Sequence, residues 1–156
     1  MKQISKQGTY TQNRELSWLR FNDSVLDEAT DERVPLLERL KFVSIFTSNL
    51  DEFFMIRVGS LHDQEVLGST AVDKKSGMTA SEQLTAIYAA VRPLYAKRER
   101  IFQDIDRQLR PYGICQLSYG ELDQCERNYL QQYYETDIAP ILSPQIIDPH
   151  HPFPHL

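Results

Sequence analysis

The segment that most constrains how this chain can fold is TSNLDEFFMIRVG, residues 47–59. It contains polar residues that cap helices, then two adjacent acids, two adjacent aromatic residues and one arginine. Ser48 or Asn49 can accept hydrogen bonds from the free N–H groups of a helix start, and acids in the first turn suit the helix dipole. Apolar residues then recur mostly every three or four positions, namely Leu50, Phe53, Phe54, Ile56, Val58 and Leu61. The sequence therefore predicts a buried helix that begins here, with a candidate ligand site at its entrance.

Asn49 and Arg57 are the candidate ligand-binding residues of this segment. From its position alone, Asn49 is more typical of a helix cap than of a ligand. Arg57 can meet phosphate, but an arginine beside an apolar stripe is more often a salt-bridging or snorkelling residue. Asp51 and Glu52 point about 100° apart on a helix, which favours charges that complement the dipole over a metal or acid–base pair.

Apolar spacing before this segment predicts two further helices. Ser17 is the expected cap of the first, and Pro35 fits the first position of the second, where its missing N–H costs nothing. The second helix should end near Thr47. The aromatic residues of the three helices lie at core spacing without an interleaved basic patch, which argues against a base-stacking platform. They are Trp18, Phe21, Phe42, Phe46, Phe53 and Phe54.

A loop and a long helix follow. Residues 67–79 are rich in turn formers. Thr79 or Ser81 caps the next helix, which keeps one apolar face for about 28 residues. Pro93 lies inside it and should kink it, because proline removes a hydrogen bond and crowds the preceding turn.

The character of the chain changes after residue 110. Residues 114–117 alternate between apolar and other side chains, which predicts a short strand. Ser118 and Glu121 match a capping box that opens another helix, and proline then punctuates an extended C-terminal segment. A strand needs partners that the remaining residues hardly supply, so we expect an N-terminal piece of a longer protein.

The predicted fold class is therefore mainly α. An antiparallel bundle of roughly four helices occupies residues 1–110. Residues 111–156 form the incomplete beginning of an α/β domain.

Composition and charge argue against several classes of function. The formal net charge is −5, whereas surfaces that bind nucleic acids or polyanions are usually basic. Cys115 and Cys125 are too few for a disulfide framework and fit a reducing cytoplasm. No apolar run reaches the ~18 residues of a membrane span, and the N-terminal MKQISK lacks the apolar core of a signal peptide.

Three histidines near the end of the sequence, His150, His151 and His155, raise the question of a metal site or a phosphoacceptor. Ligand histidines normally lie on defined elements with a cysteine or acidic partner, whereas this stretch is extended and rich in proline. We therefore expect no metal site, and none of the three is a convincing phosphoacceptor. The sequence also lacks a glycine-rich phosphate loop and a G-x-S-x-G nucleophile elbow.

Several ordered blocks of sequence resemble a known family. They are NRELSWLRFN at 13–22, PLLERLKF at 35–42 and SNLDEFFMIRV at 48–58. Together these blocks resemble the amino-terminal domain of the type-1 polyphosphate kinases. The proline-rich DPHHPFP at 148–154 resembles the segment that enters that family's head domain. The resemblance covers almost the whole chain apart from the loop at 67–79.

The resemblance implies an enzyme that reversibly moves the terminal phosphate of ATP onto inorganic polyphosphate, through a phosphohistidine and with Mg²⁺. It also implies a cytoplasmic homo-oligomer of four-domain chains, with peripheral membrane association left open. The catalytic histidine and most phosphate-binding groups belong to the two carboxy-terminal domains. No catalytic residue therefore falls in this chain, which we expect to be inactive alone.

One functional position carries over from the family. Its ATP-contacting asparagine, in the motif Asn-Leu-Asp-Glu-Phe, corresponds to Asn49. Asparagine suits this task because it offers both an acceptor and two donors to a purine edge or a ribose. The alternative is a non-catalytic helical adaptor that binds a protein through the apolar faces near Phe53 and Phe54. An adaptor should tolerate Asn49→Asp, since aspartate caps a helix about as well, whereas a nucleotide site should not.

Overall fold

The computed structural model describes residues 12–147 and divides the chain into two compact units, Met1–Cys115 and Gln116–Leu156. The described residues contain five α-helices, several of which end in short turns of 3₁₀ or π geometry, while the loop at 67–79 joins the third helix to the fourth. The helices are α1 (Arg14–Asp27), α2 (Leu36–Phe53), α3 (Gly59–Val66), α4 (Ala80–Leu109) and α5 (Gln124–Tyr133). The prediction of a mainly α fold is confirmed. Within this part of the chain, no helix is long and apolar enough to cross a membrane.

The first unit is a bundle in which α2 runs antiparallel to α1 and to α4. Contacts between the start of one helix and the end of its neighbour establish these directions: Arg39 bonds to Ala29 and Gln108, and Arg57 bonds to Glu15. The apolar stripes of the helices meet in one core. Its buried members are Leu19, Leu26, Ala29, Val43, Phe46, Leu50, Phe53, Val58, Leu61, Ala80, Leu84, Ile87, Val91, Ile101, Ile105 and Leu109.

The prediction that a new helix begins at Ser48 or Asn49 is wrong. Residues 36–66 form one continuous helical rod, in which a π turn at Phe54–Val58 joins α2 to α3. The buried stripe of α2 continues through the segment, and the free energy of burying it outweighs the capping tendency of the polar residues. The Thr47 hydroxyl donates to the Val43 carbonyl at 2.9 Å, a bond made inside a helix rather than at its end.

Two other helix starts differ from the prediction by a few residues. Asn13, and not Ser17, caps α1: its side-chain oxygen accepts from the backbone N–H groups of Glu15 and Leu16 at 2.9 and 3.1 Å. Pro35 lies one residue before α2 instead of in its first position. The prediction for α4 is confirmed, since Thr79 caps it in a reciprocal capping box with Glu82.

The long helix α4 continues through Pro93 to Leu109. Arg110–Tyr112 then forms a 3₁₀ turn, and Gly113 ends it with φ of 76°. A left-handed backbone of this kind is strained for any residue with a Cβ, which explains the glycine.

The largest secondary-structure error falls at residues 114–117, where the first unit ends and the second begins. Residues 114–117 are not a strand, and no strand forms anywhere in residues 12–147, where Val72 and Thr79 make only an isolated bridge. A strand requires a hydrogen-bonded neighbour, and no described segment supplies one. The Ser118–Glu121 capping box exists, but it opens a single 3₁₀ turn, and α5 begins with its own box between Asp123 and Glu126. That the second unit starts a head domain stays a prediction.

Candidate functional site

Asn49 lies on α2 and faces α1, held by a second asparagine. Its Nδ2 donates to the Oδ1 of Asn22 at 3.0 Å, and the Nδ2 of Asn22 donates to the Phe46 carbonyl at 3.1 Å. Asn22 is completely buried, whereas Asn49 is partly exposed. No described residue donates to the Oδ1 of Asn49. Asn49 is therefore not a helix cap but an oriented side chain that presents an acceptor.

Arg57 lies two turns further along the same rod, and its guanidinium group contacts Glu15 and the ring of Trp18. Its Nη1 donates to the Oε2 of Glu15 at 3.0 Å. Its guanidinium carbon lies 5.7 Å from the ring centroid of Trp18, within the range of a cation–π contact. The salt-bridging interpretation of Arg57 thus matches the geometry, and a phosphate contact stays a prediction.

The π turn brings Asn49 and Arg57 onto the same side of the rod. In a regular α-helix each residue advances about 100°, so that residues eight apart drift by about 80°. The wider turn at Phe54–Val58, with its i→i+5 bonding, rotates less per residue and offsets this drift. As a result both side chains reach α1, Asn49 through Asn22 and Arg57 through Glu15.

Two neighbouring concavities open on this surface. One has a volume of about 290 Å³ and contains both predicted residues. It is lined by Trp18, Phe21, Asn49, Glu52, Phe53, Ile56 and Arg57. The other, of about 570 Å³, shares Trp18, Phe21 and Arg57 with the first and adds Gln12, Arg14, Ser17 and Lys75. The structure thus brings Asn49 and Arg57 together in one depression, with a second depression beside it.

The spacing of the aromatic residues wrongly assigned Phe21 to the core. This residue is 60% exposed at the rim of both concavities, whereas Phe46 and Phe53 are buried as expected. Trp18 is already engaged, because Phe53 stacks on it at 4.5 Å and Arg57 lies over it. Phe21 is therefore the more exposed of the two aromatic rings that line both concavities.

The two acids of the segment do not play the role that the sequence predicted. Asp51 and Glu52 lie in the last turn of α2 and are exposed, far from any helix start. Because the rod continues into the π turn, the positive end of the helix dipole is not near them. Glu52 instead lines the smaller concavity.

Metal ligands do not gather on this surface. Within residues 12–147, no three His, Cys, Asp or Glu side chains come close enough to hold a metal ion. His150, His151 and His155 lie outside the described residues, as does the segment 148–154.

Comparisons with known proteins agree with the family resemblance of the sequence blocks at 13–22, 35–42 and 48–58. Residues 11–117 match the family model of the polyphosphate kinase N-terminal domain. A polyphosphate kinase from Synechocystis sp. is 47% identical over 152 residues, which cover 97% of this chain and 21% of that protein. One from Halalkalibacterium halodurans is 46% identical over 145 residues, which cover 92% of this chain and 21% of that protein.

A solved structure matches as well. The crystal structure of polyphosphate kinase from Porphyromonas gingivalis superposes with a TM-score of 0.68 at 30% sequence identity. The match covers 92% of this chain and 20% of that one. The chain therefore spans about one fifth of the length of these relatives.

Proposed function

The chain belongs to the polyphosphate kinase family through its N-terminal domain, and from this premise we propose that it forms one wall of an ATP site. The proposed enzyme transfers the terminal phosphate of ATP to inorganic polyphosphate, reversibly and through a phosphohistidine. Phosphoryl transfer depends on positioning and on cationic groups that neutralise charge. In this chain 22 acidic residues outnumber 17 basic ones, and this excess of negative charge favours an auxiliary role for the domain.

The observation that carries the proposal is the presentation of Asn49. A buried asparagine, Asn22, fixes the orientation of the Asn49 amide at the edge of the smaller concavity, and no described residue donates to the Asn49 Oδ1. A fixed acceptor of this kind can receive a hydrogen bond from the amino group of adenine or from a ribose hydroxyl. Phe21 offers an apolar ring beside it, on which a base can stack.

Arg57 is the second proposed contact. One guanidinium nitrogen is used by Glu15, while its side chain remains 35% exposed at the edge of both concavities. The remaining N–H donors of the planar fork can therefore reach a phosphate or a ribose.

We also propose the metal ion, the cellular compartment and the assembly in which the activity takes place. ATP would be bound with Mg²⁺, and the chain would act in the cytoplasm within a homo-oligomer. Cys115 and Cys125 are both free thiols, which suits a reducing compartment.

The test uses the full-length protein that carries these residues and ATP labelled on its terminal phosphate. The full-length protein should make acid-insoluble polyphosphate, and the 156-residue chain alone should make none. Asn49→Asp removes the N–H donors through which Asn22 orients this side chain and adds negative charge, so the KM for ATP should rise about tenfold. Asn128→Asp is the matched control, because Asn128 is an exposed asparagine on α5 that bonds to Gln124.

The melting temperature of each variant separates binding from folding. Asn49→Asp also loses the bond to Asn22, so a KM effect counts only if the variant remains folded at the assay temperature. Polymer formation with an unchanged KM would remove Asn49 from the site. No polymer from the full-length protein would favour the adaptor, whose binding face would include the exposed Met55 and Ile56.

A further inference from the structure

Glu15 is a charged residue that the bundle buries next to the candidate site. It is only 5% exposed, in the first turn of α1. Its Oε1 accepts from the Nε and Nη2 of Arg14 at 2.9 and 2.7 Å, and its Oε2 accepts from the Nη1 of Arg57 at 3.0 Å. Both carboxylate oxygens are thus paired with arginine, which a buried carboxylate requires.

The backbone of Glu15 is fixed as firmly as its side chain. Its N–H donates to the Oδ1 of Asn13, the cap of α1. Asn13 in turn donates to the Oε1 of Gln83 on α4 at 2.7 Å. A buried cap and a buried glutamine therefore attach this carboxylate to the body of the bundle.

We propose, on the basis of the proposed function, that Glu15 is a positioning residue of the ATP site. It holds Arg57 at the border of the two concavities and Arg14 at the larger one, so that phosphate oxygens of the nucleotide meet oriented guanidinium groups. Arg57 lines both concavities and Arg14 lines the larger one. Planar guanidinium groups bind phosphate best when their geometry is preorganised, because less conformational freedom is then lost on binding.

Replacing Glu15 by glutamine distinguishes positioning from simple electrostatics. Glu15→Gln keeps the shape of the side chain and removes one negative charge beside two arginines. If charge alone mattered, the surface would become more positive and ATP would bind more tightly. If Glu15 positions the arginines, the KM for ATP in the full-length protein should rise about tenfold, with kcat changing less than about threefold.

A double-mutant cycle tests whether Glu15 acts through Arg57. Arg57→Gln alone should raise the KM by a similar factor. The KM of the double variant Glu15→Gln/Arg57→Gln should exceed that of Arg57→Gln by less than the factor that Glu15→Gln alone produces, because Glu15 acts in part through Arg57. KM effects that multiply in the double variant would overturn the proposal.

Controls separate positioning from folding. Asp23 on α1 forms an ion pair with Lys97 on α4, and neither residue lines either of the two concavities. Asp23→Asn weakens this ion pair, so the variant should have a lower melting temperature and an unchanged KM. If Glu15→Gln does not fold, Glu15→Asp retains the charge but withdraws it by one methylene, and should raise the KM. An unchanged or lower KM in the folded variant would overturn the proposal, while polymer formation by the wild type would still support the proposed function.

Discussion

The two sides of α1 hold polar and charged residues in different ways. On the side of α2, Glu15 and Asn22 are almost fully buried and orient Arg57 and Asn49. On the side of α4, Asp23 and Asp27 both accept from the Nζ of Lys97 at 2.5 Å, with the Asp27 side chain 58% exposed. We call the first the site side and the second the brace side.

The degree of burial indicates which function the polar residues of each side can serve. Burying a polar group costs free energy unless it is well paired, and an apolar residue of similar size often stabilises a fold better. Exposed ion pairs, in contrast, form easily and contribute little free energy to folding. The fold therefore needs the brace side only as a modest link between helices. The buried polar residues of the site side fit a surface that must present fixed donors and acceptors.

The largest expected effect is that of Asn22→Ala on the site side. It leaves a cavity and removes the partner of both Asn49 and the Phe46 carbonyl. The free energy of unfolding should fall by about 2–3 kcal/mol. Urea denaturation monitored by circular dichroism measures this change.

Thr47→Val is the control for that experiment. Thr47 donates only to the Val43 carbonyl of its own helix, so its removal should change stability by less than about 0.5 kcal/mol. Equal stability of Asn22→Ala and the wild type would show that the buried asparagine pair does not hold the two helices together.

A smaller effect is expected from Phe21→Ala, which should act on binding and not on folding. The ring is 60% exposed, so its loss should barely change the melting temperature. If a base stacks on it, the affinity of the full-length protein for ATP should fall by about 1–2 kcal/mol. Phe21→Tyr keeps the ring and should retain the affinity. The dissociation constant can be measured by isothermal titration calorimetry, and equal values for Phe21→Ala and wild type would exclude stacking.

The contrast between the two sides also shows what sequence could and could not predict. Apolar spacing correctly predicted that Leu50, Phe53 and Leu61 face the core, whereas Ile56, expected on the same stripe, is 59% exposed. The caps were less predictable, since Ser17 and Asn13 are both good caps and the choice depends on where the chain enters the bundle. Nothing local distinguishes a capping asparagine from one that continues a helix.

Long-range pairing explains the remaining errors. The bond from Asn49 to Asn22 joins residues 27 positions apart, and that from Arg57 to Glu15 joins residues 42 apart. A single sequence gives no measure of such contacts. The strand expected at 114–117 fails for a related reason, because β structure depends on a partner segment and not on alternation alone.

Apart from the Thr47→Val control, the smallest effect is expected on the brace side, from Lys97→Met. Burial opposes the charge of Lys97, but hydrogen bonds from its ammonium to Asp23 and Asp27 outweigh that cost and raise its pKa above 10.5. A raised folded-state pKa means that the brace stabilises the fold below the unfolded pKa and is lost as pH rises through the folded one. At pH 7 the variant should therefore be less stable by about 0.5–1 kcal/mol. Chemical denaturation of both proteins from pH 7 to 11.5 should show this difference shrinking above pH 10.5. A difference that stays constant over the range would mean that the lysine stem, and not its charge, links α1 to α4.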